Sequence, residues 1–172
     1  MADFNRDGKP DLAVVNMGSQ GSVSVLLGNG SGSFQPAVTT AVLNGAGLSL
    51  VAGDFNGDGQ PDVALTSSTN GVNPAVEVLL GKGDGSFQTN HLILPVGQTS
   101  LSVAAGDFDR NGALDLVTAN GNGTVSVLLG NGGGSFRPRI DVTVGADARA
   151  VVVGDFNGDG RLDVAAAQQL SH

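Results

Sequence analysis

Asp54-Phe55-Asn56-Gly57-Asp58-Gly59-Gln60-Pro61-Asp62 carries oxygen side chains at its first, third, fifth and ninth positions, with a glycine after the fifth. The stretch recurs as Asp3 to Asp11, Asp107 to Asp115 and Asp155 to Asp163. In the third copy the amide moves from position 3 to position 5 (Asp109, Asn111), which leaves the charge unchanged. A short loop wraps a hard cation in this way. Carboxylate and amide oxygens converge, a backbone carbonyl fills a gap, and glycine permits the sharp turn. Each copy supplies three carboxylates and one amide, so the four loops hold 12 of the 16 acidic residues. The expectation is up to four calcium ions per chain, one in each loop.

The formal charge of −8 is therefore concentrated in the loops, and four divalent cations would bring the chain near neutrality. Acidity alone fits a solvated surface, but here the acids fall at fixed positions. The eight basic residues form no run or stripe, which argues against nucleic-acid binding. Cysteine is absent, so no disulfide framework contributes. No stretch reaches the roughly 18 apolar residues that span a bilayer, and no signal peptide is recognisable. Millimolar calcium outside cells suits loops of low affinity, which favours an extracellular or cell-surface location. Loops two to four each follow an apolar segment ending in glycine (Val51 to Gly53, Val103 to Gly106, Val151 to Gly154). Met1 and Ala2 abut the first loop directly, so the chain reads as beginning inside a repeat.

The loops start 51, 53 and 48 residues apart, and a second motif keeps step with them. Val23-Ser24-Val25-Leu26-Leu27-Gly28-Asn29-Gly30-Ser31-Gly32-Ser33-Phe34 returns as Val76 to Phe87 and as Val125 to Phe136. A period near 50 residues is that of propeller blades. Between the loops run short Val- and Leu-rich segments, often alternating and bounded by Gly and Asn clusters, which read as strands. One repeat divides into a strand entering the loop (Leu50 to Phe55), one leaving it (Asp62 to Thr66), a third (Ala75 to Leu80) and a fourth (Thr89 to Leu94). Four antiparallel strands make one blade that buries its faces against neighbours. The expected fold is all-β, one repeat domain over residues 1–172 with about three and a quarter blades. The blades span 1–46 (first strand missing), 47–97, 98–145 and 146–172 (last two strands missing). All seven phenylalanines lie in the two motifs and read as packing anchors.

The pairing of Asp-Phe-Asn-x-Asp-Gly-x-x-Asp with Val-x-Val-Leu-Leu-Gly-x-Gly-x-Gly-Ser-Phe resembles the FG-GAP/VCBS repeats. These build the propeller of integrin α-subunits and of many secreted bacterial proteins. The resemblance implies a β-propeller with calcium held between the first and second strands of a blade. It places side-chain ligands at Asp3, Asn5, Asp7 and Asp11, and at Asp54, Asn56, Asp58 and Asp62. The third set is Asp107, Asp109, Asn111 and Asp115, and the fourth is Asp155, Asn157, Asp159 and Asp163. Backbone carbonyls are expected from Lys9, Gln60, Ala113 and Arg161, whose varied side chains suit that role.

Other readings of these motifs fail on chemistry. An EF-hand needs a bidentate Glu at position 12 and flanking helices, but that position holds Val14, Leu65, Thr118 and Ala166. The glycine-rich turns lack the lysine followed by Ser or Thr of a phosphate loop, and read as hairpin connections. His91 stands apart from any nucleophile and reads as a half-exposed strand residue, and His172 ends the chain. No catalytic constellation emerges, so the chain is expected not to be an enzyme. The favoured function is a non-catalytic, calcium-stabilised scaffold for extracellular binding or adhesion to a protein or glycan. The alternative is a propeller segment of a secreted lectin or carbohydrate-active enzyme. Tyr and Trp, the usual platforms for stacking sugars, are absent. The segments 16–22, 67–74, 119–124, 43–48, 95–101 and 145–149 are expected to share the rim opposite the loops. Thirteen strands are too few for a ring of ordinary size. Self-association into a composite propeller is therefore expected, through faces lined by Val23, Val25 and Val164.

Overall fold

Alternating Val, Leu and Ala segments punctuated by glycine turns build thirteen strands in the computed structural model, which describes residues 1–17, 21–43, 45, 47–69 and 72–169. They are β1 (Leu12–Asn16), β2 (Ser22–Leu26), β3 (Val38–Ala41), β4 (Leu50–Gly53), β5 (Asp62–Thr69), β6 (Val72–Leu79) and β7 (Leu92–Pro95). There follow β8 (Ser100–Gly106), β9 (Asp115–Asn120), β10 (Thr124–Leu128), β11 (Ile140–Thr143), β12 (Ala148–Gly154) and β13 (Asp163–Gln168). Each sheet is an antiparallel meander: β1-β2-β3, β4-β5-β6-β7, β8-β9-β10-β11 and β12-β13. No helix occurs among the described residues. The all-β architecture of four-stranded blades is as expected.

Side chains on a strand alternate between its faces, and in the middle blades both faces are covered. In the second blade Val63, Leu65 and Leu79 pack towards Val23 and Val25 of the first. On the opposite face Ala64, Val76 and Val78 pack with Val103, Leu116 and Leu128 of the third. The third blade turns Val117, Ala119 and Val125 to Ala148 and Val151 of β12. The core is thus a row of interfaces between blades, each built by the same alternation.

The fold corrects three expectations. Val23 and Val25 are fully buried against the second blade and do not line an outer face; Val14 is the exposed valine of β1, while Val164 is exposed as expected. The β5–β6 hairpin is longer than Thr66 and Ala75 suggested. A bulge between Ser67 and Thr69, with Asn73 at φ 54°, lets this polar, Pro-containing stretch continue the ladder. His91 precedes β7, and its side chain is 3% exposed because Nδ1 lies 2.6 Å from Oε1 of the fully buried Glu77. That same oxygen accepts the backbone N–H of Leu43 at 2.7 Å, tying the connection between the first two blades to β6. Of the segments assigned to the far rim, 18–20, 44, 46 and 70–71 lie outside the described residues, as does His172.

Candidate cation loops

The second, third and fourth acidic loops each join the first strand of a blade to the second, as between β4 and β5. The first loop leads into β1, with Ala2 bridged to Asp11 across its base. The glycine turn between third and fourth strands lies at the same rim. Gly85 N–H donates to the carbonyl of Phe4 in the preceding blade's loop (3.1 Å), and Gly134 N–H does the same to Phe55 (3.2 Å). Ring contacts reinforce both junctions: Phe4 meets Phe87 edge-on at 6.0 Å, and Phe55 meets Phe136 at 6.4 Å.

Within a loop, short side chains accept backbone N–H groups and bend the chain around themselves. In the second loop Asp54 Oδ1 accepts from Gly57 (2.7 Å) and Asp58 (3.2 Å), and its Oδ2 from Gly59 (2.8 Å). Asn56 Oδ1 accepts from Asp58 (3.0 Å), and Asp58 Oδ1 from Gln60 (2.8 Å). The first loop repeats this through Asp3, Asn5 and Asp7, and the fourth through Asp155, Asn157 and Asp159. In the third, Asp107 and Asp109 hold the N–H of Asn111, whose Oδ1 takes that of Ala113. Glycine at position 6 is needed in every copy, since φ there lies between 76° and 83°.

The ninth-position aspartates do more than close the loop. Asp11, Asp62 and Asp115 are fully buried. One oxygen of each accepts the N–H of the loop phenylalanine (Phe4, Phe55, Phe108) at 2.7–2.8 Å. The other accepts, at 2.7 Å, the N–H of the glycine that ends the Leu-Leu-Gly motif (Gly28, Gly81, Gly130). Asp163 bonds Phe156 alone among the described contacts, at 3.0 Å. Sequence reading missed this link between the two motifs, although their constant phase was its signal.

Burial pushes the Asp62 carboxyl up to about 6 despite its two N–H donors, with the Asp58 and Asp54 charges adding to the rise. Asp115 is raised for the same reason. Asp155 is lowered, first by the N–H of Gly160. Asp7 is also lowered: desolvation is its largest influence and acts upward, but the hydrogen bonds from Lys9 and Asn5 together outweigh it.

In the third loop, carboxylate oxygens of Asp107, Asp109 and Asp115 lie within 4.8 Å of one another, a cluster able to hold a metal ion. Positions 1, 3 and 9 are thus brought together. The other copies have an amide at position 3, where Asn56 Nδ2 donates instead to Asp58 Oδ2 (2.9 Å). Position 7 enters through its N–H, and in two copies its side chain also reaches position 5. Lys9 Nζ stands 3.2 Å from Asp7, and Gln60 Nε2 stands 3.3 Å from Asp58. The donors are all hard oxygens, with no thiol or imidazole among the loop residues. That set suits a hard divalent cation.

The profile of the FG-GAP-like repeat matches residues 3–65, 65–118 and 107–166, and the chain belongs to this repeat family. No curated protein matches it. Among solved structures it is similar to a lectin from Agrocybe aegerita, described for specific recognition of non-reducing terminal N-acetylglucosamine. The two share 21% identity with a TM-score of 0.54, over 91% of this chain and 46% of the lectin chain. The chain therefore spans less than half the length of that relative, and the likeness shows a common fold.

Proposed function

We propose that the chain is a calcium-binding propeller scaffold without catalytic activity, acting outside the cell to bind a protein or glycan. The observation that carries this reading is the convergence of three carboxylates in the third loop, on a nine-residue pattern present four times. Asp11, Asp62 and Asp115 would serve both as ligands and as anchors of the strand ends. A bound cation would supply the counter-charge that these buried carboxylates lack. Membership in the FG-GAP-like repeat family supports an extracellular setting. No helix among the described residues is long and apolar enough to cross a membrane. Calorimetric titration with calcium tests the reading: four sites support it, and no uptake at millimolar concentration overturns it.

The fold shared with the lectin supports a second reading, a carbohydrate-binding propeller segment. The lack of Trp and Tyr weighs against it. A glycan array that includes terminal N-acetylglucosamine tests it: retention of a defined glycan supports the lectin reading, and an array without binding overturns it. Exposed Val152, Phe156, Leu162 and Val164 around β12–β13 support pairing of two copies. Light scattering in calcium tests this: a dimer mass supports pairing and a monomer overturns it.

A further inference from the structure

Arg6 and Arg110 stand at the fourth position of the first and third loops, where the second and fourth have Gly57 and Gly158. Both arginines hold a left-handed backbone at φ 60°, close to the 76° and 78° of the two glycines. Non-glycine residues seldom adopt this conformation. It is held from within the loop. The next N–H, of Asp7 or Asn111, is gripped by positions 1 and 3 at 3.0–3.2 Å.

Each arginine side chain leaves its own loop and reaches the following one. Arg110 Nη2 donates to the carbonyl of Gly160, at position 6 of the fourth loop. Arg6 Nη2 approaches Gly59, at position 6 of the second. The two guanidinium nitrogens lie 3.5 and 3.6 Å from where a Cβ would stand on Gly59 and Gly160. The second loop sends no such arm to the third, because Gly57 has no side chain and a Cβ there would stand 3.0 Å from the Gly132 carbonyl.

The peptide after Gly160 is planar, so fixing its carbonyl fixes its N–H as well. That N–H, of Arg161, donates to Asp159 Oδ1 at 2.8 Å; in the second loop Gln60 donates likewise to Asp58. An arginine outside the loop thus orients a candidate ligand inside it. We propose that Arg6 and Arg110 are positioning residues that couple the cation loops in two pairs, first with second and third with fourth. The proposal rests on the calcium reading above. A cation in the first loop gathers positions 3 and 5, which flank Arg6, and so fixes the base of the arm that rests on the second. By linkage the second loop favours the first equally.

Calcium titration of the wild type and of the Arg6→Gly/Arg110→Gly double variant tests this. The variant gives the odd loops the residue that the even loops already use, so the fold is retained. Wild type should titrate with a Hill coefficient approaching about 2, and the variant near 1 with the same number of sites. The calcium-free melting temperature of the variant should be equal or higher, since glycine relieves the left-handed backbone. Asp3→Ala should weaken the second loop several-fold when Arg6 is present and leave it unchanged in Arg6→Gly. Four independent wild-type sites, or a Hill coefficient that the double variant leaves unchanged, would overturn the coupling alone. Absence of calcium uptake by the wild type would overturn the calcium reading and the coupling with it.

Discussion

Gly81 donates its backbone N–H to Asp62 Oδ1 at 2.7 Å, joining the chain just beyond β6 to the first residue of β5. The other Asp62 oxygen holds Phe55 N–H at 2.8 Å. The ninth residue of the loop is therefore a strut whether or not a cation is present, whereas the fifth sits at the exposed tip. Asp62→Ala should destabilise the protein by about 2–4 kcal/mol even in chelator, because two N–H groups lose their acceptor. Asp58→Ala should lower stability chiefly in calcium. Urea denaturation of both variants, with and without calcium, checks this contrast; equal losses in chelator would refute it.

The glycine of the same pair is needed for its size. A Cβ on Gly81 would stand 2.2 Å from the Pro61 carbonyl oxygen, and Gly28 and Gly130 face the same obstacle at 2.3 and 2.2 Å. Gly81→Ala should cost about 2–3 kcal/mol through strain at the crossing. Gly133→Ala, where nothing lies within 4 Å, should be close to neutral. Thermal melts of the two variants suffice.

Calcium should raise the melting temperature substantially and magnesium less, since magnesium prefers smaller octahedral cages and retains its water. At a hundredfold excess over Kd each site adds about 2.7 kcal/mol, so four sites rival the roughly 5–15 kcal/mol of an ordinary domain. An identical melting curve in excess chelator would refute the prediction.

Lys9 Nζ stands 3.2 Å from Asp7 Oδ2 and would compete with a bound cation for that oxygen. Lys9→Ala should raise calcium affinity at the first loop a few-fold, while Gln60→Ala, which removes no charge, should change the second loop less. Titration of single-loop variants reads this directly.

The loops and the strand inventory were legible because both rest on spacing: oxygen side chains at fixed intervals, and two motifs in phase. The direction of Val23 and Val25 was not. Alternation says that neighbours face opposite sides, but in a stack of blades either side can be the covered one. The Ser67–Thr69 stretch read as loop because its residues are polar, yet the backbone ladder continues across a bulge there. His91 gave no sign of its buried partner, since Glu77 stands where the other copies have Ser24 and Ser126. The arms of Arg6 and Arg110 were equally hidden, because a lone cation in a loop says nothing about its reach.

The junctions from Gly85 to the Phe4 carbonyl and from Gly134 to the Phe55 carbonyl have one geometry at successive seams. The second and third blades are therefore indexed to their predecessors at the rim by a backbone bond that no side-chain substitution removes. The angle between blades becomes a local property, set seam by seam, and ring size is the accumulated turn of successive steps. Descendants of such a chain can vary their outer loops widely, or gain and lose whole repeats, without recutting the seams that remain.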